Sequence, residues 1–354
     1  MSKLLGRQAH HTKALNLALQ GGGAHGAFTW GVLDRMFEDG RIWIEAISGT
    51  SAGAMNAVVA AQGMYDGGGD GARAELERFW RTVSAAGRHS PLRRTWLDRM
   101  MGTWSLDHSP GYLALDILNR LASPYETNPL QVNPLRELVE QFVDFAKVQD
   151  SRDMPIYISA TNVETGQARV FTGEAITLDV VMASACLPFM FHAVMIEGEP
   201  YWDGGYMGNP VLFPLIEGSG CADIAIVQIN PVVRRGTPRT ARDILNRVNE
   251  ITFNASLLKD LASLELIHRM VTEGKLLRSE FRDTRIHIIE ANDAMVPLGA
   301  SSKMNTEWAF LTLLRDIGRQ AAAEWLDRNF DAIGERSTVD LPCMFRAGPS
   351  GTVT

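Results

Sequence analysis

The chain has 354 residues, 45% of them hydrophobic and 21% charged, with 34 Lys and Arg against 41 Asp and Glu for a formal charge of −7. That length can bury a sizeable core without disulfides or metals. Its acidity argues against general binding to nucleic-acid backbone or anionic lipid headgroups, both of which call for a basic face. Cys186, Cys221 and Cys343 are far apart, form no metal-ligand pattern, and read as reduced thiols.

Residues 1–12 read as a flexible, polar and basic N-terminus. Ala14–Leu19 is a short buried strand, too brief for a signal-peptide core, and it runs into Gly21, Gly22 and Gly23. A helical pattern follows from about Ala24 to Phe37 and stops at Gly40. Ile42–Ile47 is a second buried strand, and Ala52–Gln62 a small-residue helix capped by Gly63. This strand–loop–helix alternation predicts parallel βαβ packing. Tyr65–Gly71 reads as a flexible turn and Arg73–Ala85 as an amphipathic helix. From 87 to 133 four prolines, with Pro134 just beyond, break the pattern, and the segment is expected to be irregular. Pro155–Val163 pairs with Gln167–Phe171 as a hairpin, followed by a short helix over 177–186, a second hairpin ending at Asp203, and a buried strand over 222–229. Beyond residue 230 the chain turns helical, over 241–273 and 307–329, with one strand at Arg285–Ile289. Residues 231–346 are expected to pack on the same domain as 13–230, with a loose tail over 347–354. No apolar run reaches the ~20 residues of a membrane span. A cytoplasmic location is therefore expected, with any membrane contact peripheral and local.

Three motifs carry chemistry. Gly49-Thr50-Ser51-Ala52-Gly53 fits GxSxG at a strand-to-helix turn, the setting of a nucleophile elbow. The helix starting at Ala52 favours negative charge developing beside Ser51. Gln20 to Gly26 fits GxGxxG through Gly21, Gly23 and Gly26. A dinucleotide site would need an acidic residue at the end of the second strand, where this chain has Ser48-Gly49-Thr50-Ser51. The loop is better read as a set of N–H groups at a helix N-terminus, able to donate to a tetrahedral oxyanion. Trp202-Asp203-Gly204-Gly205 sets a carboxylate just after a strand. His268 and His287, the histidines that follow Asp203, lie in a helical stretch and inside an apolar strand, poor positions for a triad member.

These motifs in this order, with the stretches Ala183–Pro188 and Gly205–Pro210, resemble the bacterial patatin-like phospholipase family from roughly Ala14 to Ile229. The resemblance implies an α/β fold: a largely parallel central sheet flanked by helices and carrying a Ser–Asp dyad. It makes Ser51 the nucleophile, Asp203 the general base, and Gly21, Gly22 and Gly23 the oxyanion loop, with Gly26, Gly49, Gly53, Gly204 and Gly205 supporting the motifs. It implies two-step hydrolysis of fatty-acyl esters of lipids or phospholipids, with no cofactor and no metal. One departure is notable. Many members carry Lys or Arg where this chain has His25, which weakens any role of that side chain in holding a phosphate.

Within 87–133, Trp96, Leu97, Met100, Met101 and Trp104 fall at helical spacing and are expected to share one face covering the acyl pocket. Trp96, Met100 and Trp104, with His25, are therefore candidate substrate-binding residues. The expected partners are a lipid or other ester and, transiently, a membrane surface, but not nucleic acid. Two alternatives stay open: a hydrolase of non-lipid esters or thioesters on the same dyad, and a catalytically silent lipid-binding or regulatory protein.

Overall fold

Strands buried on both faces of a parallel sheet must be apolar throughout, and Lys13–Leu19 (β1) and Ile42–Gly49 (β2) meet that condition along most of their length. The computed structural model describes residues 12–346 apart from 89, 152 and 278–281, so the expected N-terminal segment and tail lie outside the described residues, Thr12 excepted. In chain order the remaining elements are α1 (Gly26–Asp39), α2 (Ala52–Gly87), α3 (Trp96–Met100), α4 (Pro110–Leu121), α5 (Pro124–Thr127), α6 (Pro134–Phe142) and α7 (Phe145–Gln149). Then come β3 (Ile156–Asn162), β4 (Ala168–Thr172), α8 (Leu178–Ser184), β5 (Val194–Ile196), β6 (Glu199–Asp203), α9 (Phe213–Gly218) and β7 (Asp223–Val227). The chain closes with α10 (Ala241–Thr272), β8 (Arg285–Ile289), α11 (Asn292–Met295), α12 (Trp308–Asn329) and α13 (Leu341–Arg346).

The eight strands form one mixed sheet in the order β5-β6-β3-β2-β1-β7-β8, with β4 also on β3. Pairings from β3 through β2, β1 and β7 to β8 are parallel, while β4, β5 and β6 add antiparallel pairs. Leu15, Leu17 and Leu19 face a core shared with α1, α2 and α12. Ala18, Ile224, Ile226 and Ile286 face a second core with Leu212 and Leu215 of α9, Leu257 and Leu261 of α10, and Leu341 of α13. The period-2 alternation along each strand thus feeds two helical layers. The chain beyond residue 230 supplies a strand to this sheet and helices to both layers. Among the described residues no helix is long and apolar enough to cross a membrane.

Two expectations change. Gly63 does not cap a helix: α2 runs from Ala52 to Gly87, and only Gly67 and Gly68 leave helical geometry. The chain reverses there into a helical hairpin, with Trp80 Nε1 donating to Asn56 Oδ1 at 3.0 Å. A Cβ on Gly63 would sit 2.5 Å from the Ala72 Cα, so this glycine serves the close approach of the two arms. The segment 87–133 is not irregular but a series of short helices. Pro110 and Pro124 fall at the starts of α4 and α5, as Pro134 does in α6, where the missing N–H costs nothing.

Candidate active site

The sheet register explains why residues so distant in sequence meet. β2 runs parallel to β3 and ends with Gly49 opposite Ile158. β6 runs antiparallel on the same edge of β3 and ends with Asp203 opposite Ala160. The two strands therefore point their C-terminal ends at each other across Ser159. What leaves β2 is Ser51, and what ends β6 is Asp203.

Ser51 occupies φ 54°, ψ −120°, a conformation L residues rarely adopt. The strain is held by neighbours. Thr50 Oγ1 donates to the Gly208 carbonyl at 2.7 Å and lies 2.8 Å from Ser159 Oγ, while the Ser51 N–H donates to Ser184 Oγ at 2.9 Å. Gly49 lies so close to Gly53 that a Cβ there would come within 2.7 Å of its carbonyl carbon. This is the sharp turn the GxSxG spacing predicts.

Asp203 is 1% exposed. Its N–H donates to the Cys186 carbonyl at 2.8 Å, its Oδ1 accepts from the Gly205 N–H at 2.7 Å, and the nearby Ser51 hydroxyl favours its ionised form. Burial pushes its pKa up to about 7, against the opposing pull of the Gly205 N–H, the Ser51 hydroxyl and the Lys303 ammonium. Burial also pushes the neighbouring Tyr206 phenol and Cys186 thiol up to about 12, so both are neutral at pH 7. Gly204 packs on the Ser159 backbone and Gly205 on the Phe253 ring, leaving no room for side chains.

The glycine loop differs from expectation in one respect. The Gly21 N–H is spent on Asn209 Oδ1 at 2.6 Å, and the residue is buried. Gly21 therefore positions the loop, with a Cβ there falling 2.6 Å from the Ser51 Cβ. Gly22 is half-buried and Gly23 exposed, and among the described residues neither N–H has an acceptor, so the expected trio of donors becomes a pair. Gly26 abuts Ala52 and Trp80, fixing the start of α1 against the elbow.

The candidate substrate contacts are rearranged more deeply. His25 is buried, 2.8 Å from Ser302 Oγ, and burial together with Lys303 holds its pKa down to about 3. Of the expected common face, Trp96, Leu97, Met100 and Met101 share an exposed side, while Trp104 leaves it. α3 ends at Met100, and Gly102 at φ +68° turns the chain. Asp98 is the buried residue of α3, held by the Thr95 cap and His108, so Trp96 (75% exposed) and Met100 (70% exposed) face outward. Trp104 turns inward, stacked on Phe310 at 5.1 Å under the Arg94 guanidinium.

Neither late histidine joins Ser51. His287 is buried between Asp223 and Thr338, toward the opposite end of the sheet, and His268 lies 3.8 Å from Asp283. Sequence reasoning missed several residues that shape the site: Asn209, Ser184, Gln20, Asn230 and Lys303. Asn209 and Ser184 stand inside the two stretches similar to family blocks. Gln20 opens the glycine loop, its Oε1 accepting from the Ile229 and Asn230 N–H groups at 2.9 Å. No local signal marks Lys303.

No curated protein matches the sequence significantly. Among solved structures the chain is similar to VipD from Legionella pneumophila, at 16% identity and TM-score 0.37, over 87% of this chain and 67% of that one. It is also similar to the type III effector ExoU, at 14% identity and TM-score 0.31, over 90% of this chain and 54% of that one. A further match is the SpcU–ExoU complex from Pseudomonas aeruginosa, at 13% identity and TM-score 0.28, over 88% and 53%. The chain thus spans about two thirds of VipD and about half of ExoU. The model of the patatin-like phospholipase family matches residues 17–216, more than half of the chain and all three motifs. The protein belongs to the patatin-like phospholipase family, a family of lipid acyl hydrolases with a mostly parallel mixed sheet between helical layers.

Proposed function

We propose that the protein hydrolyses fatty-acyl esters of phospholipids with Ser51 as nucleophile and Asp203 as its general base. Ser51 Oγ attacks the ester carbonyl as its proton passes to Asp203. The Gly22 and Gly23 N–H groups hold the oxyanion, and the N-terminus of α2 adds its dipole. The proton then leaves with the departing alcohol. Water attacks the acyl-Ser51 ester with Asp203 again as base, releasing the fatty acid.

The observation that carries this reading is a strained Ser51 whose hydroxyl acts on a buried Asp203, while His268 and His287 are engaged elsewhere. An unperturbed carboxylate, with pKa near 4, is a poor base at neutral pH. One raised to about 7 by burial is matched to its task. The test is labelling with a fluorophosphonate, followed by mass spectrometry of products from mixed lipids. The expected result is a label on Ser51 and release of free fatty acid. An unlabelled Ser51 in folded protein overturns it.

Contact with a membrane surface belongs to the same proposal. α4 carries Leu113, Ile117, Leu118 and Leu121 on its solvent side, the last 80% exposed, and none of its residues is buried. Phe189, Tyr125, Trp96 and Met100 add exposed apolar area. Tyr125 stacks on His192 at 4.0 Å, and Cys186 Sγ donates to the His192 carbonyl, so this surface connects with the segment that holds Asp203. Exposed apolar area on this scale is a feature of surfaces that meet lipid or protein.

A further inference from the structure

The formal charge of −7 is unevenly spread along the chain. Between Arg234 and Arg247, five arginines meet one acid, Asp243, within fourteen residues. Arg234 and Arg247 are spent on Glu250, at 2.6 and 3.1 Å. Arg235 and Arg239, in the loop before α10, are exposed, and among the described residues neither has a hydrogen-bond or ion-pair partner. Val233 beside them is exposed as well.

This loop runs into a helix with apolar side chains on both sides. Inward, Leu257 and Leu261 pack on the sheet. Phe253 packs on Gly205, Asn254 Oδ1 accepts from Gln20 Nε2 at 3.1 Å, and Ser256 Oγ accepts from the Asn209 N–H at 3.3 Å. α10 therefore walls the segments that carry Asp203 and the glycine loop. Outward, Ile244, Leu245, Val248 and Ile251 are each 42–53% exposed, and their helical spacing puts them on one face. Leu266 continues that face about six turns on. Lys259 and Arg269 are the exposed charges of the same stretch, and among the described residues from Ile244 to Thr272 no acid is exposed. Apolar side chains flanked by cations and free of exposed acids complement a surface that is anionic on top and apolar beneath.

We propose that α10 and the loop before it dock on an anionic lipid leaflet. Ile244, Leu245, Val248 and Ile251 meet the acyl boundary, and Arg235, Arg239, Lys259 and Arg269 meet the anionic headgroups. The proposal rests on the membrane contact proposed above and names the kind of surface selected. The α4 face cannot make that selection, because its Arg120 is paired with Asp116 at 3.1 Å and adds no net charge. The loop carrying Asp203 then sits one helix diameter, about 10 Å, behind the docked face.

The test is co-sedimentation of the full Ser51→Ala chain, chosen to keep the lipid intact. The vesicles are phosphatidylcholine alone or phosphatidylcholine with about 30% phosphatidylserine. Phosphatidylserine should raise binding roughly tenfold or more, and high salt should remove the gain. Arg235→Gln with Arg239→Gln should cost roughly fivefold per charge on phosphatidylserine vesicles and less than about twofold on phosphatidylcholine. Val248→Ser with Ile251→Ser should weaken binding to both. Placed in the wild-type chain, each pair should keep soluble-ester hydrolysis and the melting temperature. Ile117→Glu with Leu121→Glu should weaken both vesicle types alike, which reads the α4 contact separately. No gain from phosphatidylserine, or a gain that survives loss of the two arginines, overturns the anionic dock and leaves the α4 contact standing. A dimer in solution, seen by light scattering and dissolved by Val248→Ser with Ile251→Ser, assigns the face to a second copy and overturns it too. Failure to bind either vesicle overturns the membrane contact itself.

Discussion

At the scale of single residues, Ser51 and Asp203 each sit in a state that the fold makes costly. Ser51→Ala should lower ester hydrolysis roughly 10³-fold or more, measured on a soluble ester with the melting temperature unchanged or higher. Ser51→Gly relieves the φ 54° conformation and should stabilise by about 1 kcal/mol. For Asp203 two signs must be kept apart. As a base it acts only when ionised, so kcat/KM should rise with pH through an apparent pKa near 7. For stability the raised folded-state pKa favours the protonated form, so its contribution is full below pH 4 and is lost as pH rises through 7. Asp203→Asn should therefore be inactive, yet more stable than wild type at pH 8 by about 2–4 kcal/mol, with little gain at pH 4, by thermal unfolding at both values. His287 is the contrast. Its ring bridges Asp223 and Thr338 and meets Trp325 edge-on. His287→Ala should cost about 3 kcal/mol of stability while the folded fraction keeps its activity. Activity lost at unchanged stability would reinstate a triad.

At the scale of elements, the outward apolar face of α4 is the feature that local packing leaves unexplained. Ile117→Glu with Leu121→Glu should reduce binding to phosphatidylcholine vesicles roughly tenfold per side chain, since each forfeits about 1.5 kcal/mol of burial in lipid. Hydrolysis of a soluble ester and the melting temperature should hold, as neither side chain is packed. The tryptophans separate the same way: Trp96→Ser should affect vesicles alone, while Trp104→Ser removes the stack on Phe310 and should lower stability. This split was not legible in the sequence. A stripe at helical spacing says that residues share a side, not whether that side faces core or water, and here the Thr95–Asp98 cap turned the polar side inward. The strands were legible because buried parallel strands are apolar runs between turn signals; β8 matches its expected bounds. Gly67 and Gly68 were readable as a break but not as the tip of a hairpin, because the Gly63–Gly71 approach is a tertiary fact. The elbow, the Asp-Gly-Gly turn and the glycine loop are local motifs, so sequence exposed them. Asn209, Asn230 and Lys303 act on that loop from far along the chain, and no local pattern announces such contacts.

At the scale of the whole molecule, the family match stops at residue 216 but the structure that presents the site does not. β7 and β8 lie outside the match and complete the sheet on the β1 side, and α12 lies along α1. The helices touch backbone to backbone. A Cβ on Gly318 would run into the Phe28 carbonyl, and one on Gly31 into the Arg315 carbonyl. Arg319 of α12 reinforces the contact through Asp34 and Glu38 of α1. Because α1 begins at Gly26, the glycine loop is anchored to the helix that α12 clamps, and Lys303 enters the loop from the turn just before α12. Two consequences can be measured. A chain ending at residue 230 should lack a cooperative thermal transition, since it exposes the β7 edge and the apolar faces of α1 and the sheet. Gly318→Val, which leaves every residue of the site unchanged, should cost about 3 kcal/mol or more through overpacking against the α1 backbone. Where it still folds, it should lower kcat/KM on phospholipid by shifting the loop. Gly318→Ser should do both to a smaller degree, and Gly334→Ala, whose Cβ meets nothing within 4 Å, should leave kcat/KM intact despite its φ of +86°. A 12–230 fragment that unfolds cooperatively and hydrolyses ester would show that the clamp is dispensable.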